Sequence, residues 1–584
     1  MRTIKQLLAL LSLVFMLDAS AASTDVVKAV ASCGDLASVD ISDVGGQGSK
    51  ITKADTITRN GRQVCSVEGT MAPTIGFKIT LPLDSWTQRY LQVGCGGLCG
   101  RVSTEAGAAE GCKPLKDEGF VVAGTDMGHS GMSSEFGNDP QKREDFAYRA
   151  EHLTAVLSKK LIKVFYGRPQ SYAYFTGCSD GGREALMEAQ RYPDDFDGII
   201  AGAAALNFLT QNAVYHAWQA VSNTGADGKP VLIASRLSIL HNAVLKQCGA
   251  VDGVIADPRS CKVDVAALQC KADDTSNCLT AAEVSTVRRL YDGPRDPVSG
   301  KRLTIGGPLP GSELAWQGVF VPNSKEAGIF SSMVSLQVLQ NLAYPTNPPA
   351  GFKLSQVEFT EASFNKLRAM HPLYDATNPD LSAFAKAGRK LILWHGLSDQ
   401  HISPLNTIAY HHALEQFMGQ QQTAAFERMF LFPGMEHCGG GVGVTAIDLL
   451  TPMLEWVEHG KAPEEIIAHT AAPRKGPGSF GAPTDRPQAG AGSPPGGPQG
   501  GPPPGGMPPG GMPSGGMPPG GPMGEAPGAP AVAKVQQSRP VYAYPYLAVY
   551  NGSGDKNAAA SYSRSQQPAR YEIPDWIGAD FFKP

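Results

Sequence analysis

Three residues far apart in the chain could together carry out nucleophilic catalysis. The first is Ser179, inside Gly177-Cys178-Ser179-Asp180-Gly181. A strand-like run (172–176) precedes it and a helical run (183–190) follows. G-x-S-x-G between a strand and a helix marks a sharp turn that lifts the serine Oγ above a sheet. The glycines suit that turn, because side chains beside the serine would clash and some positions need a positive φ. The hydroxyl would also sit at a helix N-terminus, where N–H groups and the helix dipole favour developing negative charge. The chemistry would be attack on a carbonyl carbon, and it needs a base and an acid.

In this arrangement the acid follows the serine and the histidine comes last. Of 12 histidines, those after a plausible acid are His401, His411, His412, His437, His459 and His469. His411 and His412 fall in a helical pattern and read as packed or solvated. His459 and His469 flank a polar segment. His437 follows the strand pattern at 426–432 and precedes Gly439-Gly440-Gly441, a flexible loop where a base should hang. By the same logic Asp399 ends a loop that leaves the strand pattern at 390–394. It would hold the imidazole through Nδ1–H and stabilise the imidazolium. Carboxylates near Asp375 or Asp380 are the alternatives. For the oxyanion, the N–H of Asp180 needs a second donor. The glycine-rich segment 94–100 offers Gly97, with Gly96 a close alternative.

Such residues need a sheet to position them. Apolar runs at 91–93, 120–124, 171–176 and 198–200 alternate with helical patterns at 151–166 and 183–192. Earlier runs at 64–70 and 76–81 read as strands. The alternation predicts a parallel sheet covered by helices, an α/β-hydrolase core. Residues 206–381 break the rhythm and read as a large inserted lid domain. The core is thus expected at 23–205 and 382–472. Residues 473–538, rich in Pro-Pro-Gly-Gly units without a strict Gly-X-Y period, read as a disordered insertion. Residues 539–584 are expected to complete the core. Trp316, Phe320 and Phe364 of the lid are the candidate aromatic residues for substrate binding.

The N-terminus has Arg2 and Lys5, an apolar run at 7–17 and then small residues. That is a signal-peptide pattern over residues 1–22, with cleavage expected near Ala21 or Ala22. The run is shorter than the ~20 residues a membrane span needs, and no later stretch qualifies. Secretion or a periplasmic location follows. The net charge is only -4, with 50 Lys+Arg against 54 Asp+Glu, so nothing suggests a nucleic-acid partner. Eleven cysteines suit an oxidising compartment, and their odd number leaves at least one outside an intrachain pair.

Taken together, these residues resemble the tannase/feruloyl esterase family, which includes the mono(2-hydroxyethyl) terephthalate hydrolases. The resemblance rests on Cys178-Ser179 with His437-Cys438, on residues 76–82, 125–129 and 191–202, and on His395-Gly396 with Asp399. It spans roughly residues 32–461 and resumes near Arg539. It implies an α/β-hydrolase core, a large lid and small aromatic esters of gallate, ferulate or terephthalate-monoester type as substrates. It also implies a Cys178–Cys438 disulfide that clamps the histidine loop to the serine turn. Local pairing predicts Cys33–Cys65, Cys248–Cys261 and Cys270–Cys278, and a bond from Cys112 to Cys99 or Cys95.

The family's lid usually carries a calcium loop. Here only Asp252 and Val254 remain as its remnant, short of the six to eight oxygens calcium takes. No cofactor is expected for catalysis, and a structural calcium is not counted on. A triad does not separate ester from amide cleavage, so a general esterase, lipase or peptidase on this fold stays open. So does a non-catalytic binding protein that kept the fold.

Overall fold

The structure is a computed structural model that describes residues 25–271, 275–471 and 536–567, together with Gly578. The expected signal peptide and most of the Pro/Gly-rich tract lie outside the described residues, as does the chain after 567 apart from Gly578. Nine strands form one sheet: β1 Lys50–Arg59, β2 Arg62–Met71, β3 Ile75–Pro82, β4 Arg89–Val93, β5 Phe120–Thr125, β6 Tyr172–Cys178, β7 Gly198–Gly202, β8 Lys390–Gly396 and β9 Glu427–Phe432. Their order is β1-β2-β3-β5-β4-β6-β7-β8-β9. The first three pair antiparallel, β3 meets β5 antiparallel, and the pairs from β5 through β9 are all parallel.

The apolar runs are nearly continuous because helices cover both faces of the sheet. Within each strand, alternate residues enter opposite cores. Ala173 and Phe175 of β6 join one cluster while Tyr174 joins the other; Leu391 and Leu393 of β8 oppose Ile392 and Trp394. Helix α1 (Ala150–Tyr166) packs Leu157, Leu161 and Phe165 into the first cluster. Helix α2 (Asp180–Arg191) follows β6 directly. Between β7 and β8 lies α3 (Phe330–Asn341), and α4 (Pro404–Met418) precedes β9. On the other face, α5 (Leu450–His459) contributes Leu450, Met453 and Trp456 to the second cluster.

The chain leaves the sheet at Gly202 and re-enters it at Lys390, and the described residues between add no strand to it. They build a core of their own around Leu240, Val287, Leu290, Trp316 and Phe320. Beyond the Pro/Gly-rich tract, strand β11 (Ser538–Tyr542) pairs antiparallel with β10 (Glu465–His469). A second pair joins β12 (Ala548–Tyr550) to β13 (Tyr562–Arg564).

The disulfides pair Cys33 with Cys65, Cys178 with Cys438, Cys248 with Cys261 and Cys270 with Cys278. The expected bond to Cys112 is wrong. Cys95 pairs with Cys99, and Cys112 is a buried free thiol. The reason is the sheet itself: Cys95 and Cys99 belong to the core on one face, and Cys112 to the core on the other.

Candidate active site

Ser179 sits between β6 and α2 with φ 67° and ψ −120°. A non-glycine residue in this region is strained and must be held by its surroundings. Its N–H donates to Gly202 O at 3.0 Å, and its carbonyl accepts from Ala205 N at 2.9 Å. The turn is tight enough that a Cβ on Gly177 would lie 2.2 Å from Gly181 O. Both outer glycines of G-x-S-x-G are therefore required by close backbone approach.

His437 is buried, and its Nδ1 donates to Asp399 Oδ2 at 2.7 Å. That leaves Nε2 as the basic nitrogen. The loop carrying it closes on itself rather than hanging open: Glu436 N donates to Gly440 O at 3.1 Å, and a Cβ on Gly441 would lie 2.2 Å from Gly434 O. The glycines expected to give flexibility thus permit close packing. Cys178–Cys438, with Cα atoms 5.9 Å apart, ties this loop to the serine turn. Ser179 and His437 line one cavity, though among the described residues no hydrogen bond joins Ser179 Oγ to the imidazole. Such bonds are often long without substrate.

Asp399 is fully buried and saturated with donors. Oδ1 accepts from His401 N at 2.7 Å and Ile402 N at 2.9 Å. Oδ2 also accepts from His395 Nε2 at 3.1 Å. That nitrogen meets a second acceptor, Ile402 O at 3.1 Å, so it carries the proton. Burial alone would raise the Asp399 carboxyl. The His437 charge and the hydrogen bonds from His395 and His437 outweigh it and hold the group well below the ordinary carboxylate range. Asp375 and Asp380 are elsewhere: Asp375 is bonded to His371, and Asp380 accepts from Ser382 N at 3.0 Å at the start of a short helix ahead of β8.

Gly97 and Asp180 line the same cavity, whereas Gly96 does not. Asp180 opens α2, where an N–H has no intrahelical partner. Its carboxylate points away, into a bidentate pair with buried Arg183 at 2.7 and 3.0 Å. The loop that carries Gly97 is fixed from below by Glu184, whose Oε2 accepts from Cys95 N at 2.9 Å.

The lid wall of the cavity is not the one expected. Trp316 and Phe320 are fully buried in the lid's own core, and Phe364 borders a separate hollow. The wall is instead formed by Gln211, Asn212, His216, Phe330 and Val334, with Phe208 and His401 beside them. Rings dominate it: His401 lies 4.9 Å from His437 and 4.8 Å from Phe330, and Phe330 lies 5.5 Å from His216. His216 accepts or donates at Ser331 Oγ, 2.9 Å from Nδ1. Burial, with help from the His437 charge, pushes its pKa down to about 3, so it is neutral. His401, two residues past Asp399, had a signal in its spacing; Phe330 and His216 had none. In the calcium-loop remnant, Val254 O accepts from Val251 N at 3.0 Å and Asp257 pairs with Arg259 at 2.8 Å. Among the described residues no cluster of three or more His, Cys, Asp or Glu ligands forms at Asp252.

The strand order, the serine turn and the acid–histidine pair define an α/β-hydrolase. The family profile for tannase and feruloyl esterase matches residues 57–565. Mono(2-hydroxyethyl) terephthalate hydrolase of Piscinibacter sakaiensis is 28% identical over 572 residues, covering 86% of this chain and 85% of its own. Probable feruloyl esterase B-2 of Aspergillus terreus is 32% identical over 74% of this chain and 84% of its own. Among solved structures, feruloyl esterase B of Aspergillus oryzae superposes with a TM-score of 0.70 at 22% identity, covering 91% of this chain and 99% of that one. The chain belongs to the tannase and feruloyl esterase family, and it is a carboxylic ester hydrolase. No helix among the described residues is long and apolar enough to cross a membrane.

Proposed function

We propose that the protein is an exported serine esterase that cleaves esters of aromatic acids through an acyl-enzyme. Ser179 Oγ attacks the ester carbonyl while His437 Nε2 takes its proton. The developing oxyanion is held by the N–H groups of Gly97 and Asp180. His437 then gives the proton to the leaving alcohol, and a water activated by the same nitrogen releases the acid. Asp399 keeps the imidazole in the Nδ1–H form and offsets its charge in between. The observation that carries this reading is the 2.7 Å Asp399–His437 hydrogen bond facing the cavity that Ser179 shares.

The acyl group is a gallate, a ferulate or cinnamate, or a terephthalate monoester. The family supports this range, and so does the ring-lined wall, since flat apolar faces favour an aromatic partner. The lid, read as residues 206–381, sets the choice within it. Export rests on the signal-like pattern at residues 1–22 and on five disulfides. Rates on methyl ferulate, methyl gallate and mono(2-hydroxyethyl) terephthalate, alongside labelling by a serine-directed phosphonate, test the reaction. Label on a serine other than Ser179, or no turnover of any aromatic ester above acetate esters, would reject it. N-terminal sequencing of the secreted chain tests the export.

A further inference from the structure

Helix α4 carries a cluster that the hydrolytic reaction does not use. His411 and Glu415 are four residues apart and His412 and Glu415 three apart, so the three project from one side of the helix. His411 Nε2 lies 3.7 Å from Glu415 Oε1, and His412 Nδ1 lies 3.1 Å from Glu415 Oε2. One ligand atom from each residue falls within 4.8 Å of the other two. Ligands around a tetrahedral zinc at ~2.0–2.2 Å stand roughly 3.3–3.6 Å apart, close to the 3.7 and 3.1 Å that separate the Glu415 oxygens from the two imidazoles.

The remaining nitrogen of each ring is engaged from outside. His411 Nδ1 meets Glu427 Oε2 at 3.0 Å, from the first residue of β9. His412 Nε2 meets Tyr544 Oη at 3.1 Å, from the segment that follows β11. Metal-bound histidines characteristically have an outer partner of this kind, which fixes the ring and its tautomer. Glu427 is buried, and its other oxygen has no hydrogen-bond partner among the described residues. Two carboxylates and two imidazoles thus gather here, with the Arg259 guanidinium 5.4 Å from the Tyr544 ring.

We propose that His411, His412 and Glu415 bind a divalent metal of the zinc class, with Glu427 and Tyr544 as outer partners. Imidazole and carboxylate donors suit zinc rather than calcium or magnesium. Both Glu415 and His412 are partly exposed, which leaves an entry path and room for a water ligand. Two other ligand-rich clusters are unsuitable. In one the cysteines, Cys95 and Cys99, are joined in a disulfide. In the other Lys159 already supplies the cation, 3.3 Å from Asp195. The consequence of the proposed site is structural: the ion would tie Tyr544, beyond the Pro/Gly-rich tract, to α4 and β9.

The test uses the full-length protein after EDTA treatment and dialysis. Zinc chloride is titrated by calorimetry, with Tm and the visible spectrum of the cobalt-substituted form read in parallel. We expect one saturable zinc per chain, a zinc-dependent rise in Tm, and the absorption of four-coordinate cobalt with nitrogen and oxygen donors. Tyr544→Phe should weaken binding roughly 10–100-fold. Glu415→Gln and His412→Gln should each weaken it at least that much, while hydrolysis of a small ester is unchanged. Absence of saturable binding in the wild-type chain would overturn the proposal. So would undiminished binding in Glu415→Gln and His412→Gln, which would place the ion elsewhere.

Discussion

The sheet and the long segment between β7 and β8, proposed as a lid, both line one cavity, yet they fill it in different ways. From the core come Ser179, His437 and the loop of Gly97, each at or just beyond the C-terminal end of a parallel strand. From the lid come His216, Phe330 and Val334, on helical segments joined by irregular chain. The core residues are placed by local rules of strand, turn and helix start. The lid-side residues are placed by long-range packing: the helical segments that carry His216 and Val334 bury Ala217, Val338 and Leu339 in the main core, while Phe330 packs against the separate cluster of Trp316 and Phe320. The candidate catalytic residues are therefore placed by local rules, and the opposite wall of the cavity by packing.

The sharpest way to break this comparison is at the core side. Ser179→Ala should lower kcat by roughly 10⁴–10⁶-fold with Tm unchanged, and Asp399→Asn by about 10⁴-fold. Combining the two should add little to the serine change alone, because the residues act as one unit. Steady-state and burst kinetics with a chromogenic ester, together with Tm, would check all three. If Asp399→Asn kept near-normal activity, the acid would have to be sought elsewhere despite its bond to His437.

The clamp between the two loops is next. Replacing Cys178 and Cys438 together by alanine removes a bond that closes a 260-residue separation. Chain entropy bounds the loss of stability at about 5 kcal/mol. Freed from the clamp, His437 should also drift, and a displacement of ~1 Å can cost about 10²-fold in kcat. Urea unfolding and kcat at a temperature where the variant stays folded separate the two effects. A variant with full activity and lower stability would make the bond a staple only.

This division also explains what could be read from the chain. Strands β2 to β9 were legible because nearly every one is an apolar run, and the serine turn because its glycines permit backbone contacts. β1 was not. Its sequence, Lys50-Ile51-Thr52-Lys53-Ala54-Asp55-Thr56-Ile57-Thr58-Arg59, is polar because the strand is an edge and mostly exposed. Its one signal was Asn60-Gly61, with φ 46° and 76°, a two-residue hairpin turn. The Cys112 pairing failed because sequence distance does not say which side of a sheet a thiol faces. Trp316 and Phe320 were misread for a related reason: large aromatics in a lid are as useful to its core as to its pocket.

The lid therefore yields a paired test. Phe330→Ala should lower kcat/KM for a ferulate ester by roughly 10–100-fold, with a smaller loss for an acetate ester. Trp316→Ala should instead destabilise the protein by about 3–5 kcal/mol and leave the ratio of the two substrates unchanged. Substrate ratios measured on both variants at a temperature where each is folded would decide. If Trp316→Ala shifted the ratio more than Phe330→Ala, the assignment of core and wall in the lid would be reversed.

The smallest effect concerns His216, the neutral imidazole on the lid wall. Burial, then the His437 charge, pushes its pKa from the ordinary 6.5 to about 3, against a weaker opposing pull from Asp399. The unfolded chain takes a proton near pH 6.5, while the folded chain refuses it until about pH 3. Above pH 6.5 this group adds no pH dependence. Between those limits it makes the folded state less stable as pH falls, by about 1.4 kcal/mol per pH unit at most. Asp399, with its lowered pKa, acts in the same direction but only below the ordinary carboxylate range. Asp126, raised to about 6 chiefly by burial, acts in the opposite direction, stabilising the fold as pH falls from 6. Comparing the wild type with His216→Gln cancels these other groups and retains an amide for Ser331. Unfolding free energies from urea at pH 7, 6 and 5 should diverge, with the wild type losing more on acidification by up to one proton's worth of slope. Parallel curves would mean that His216 titrates alike in both states, and that the lid wall beside His437 is wetter than its packing indicates.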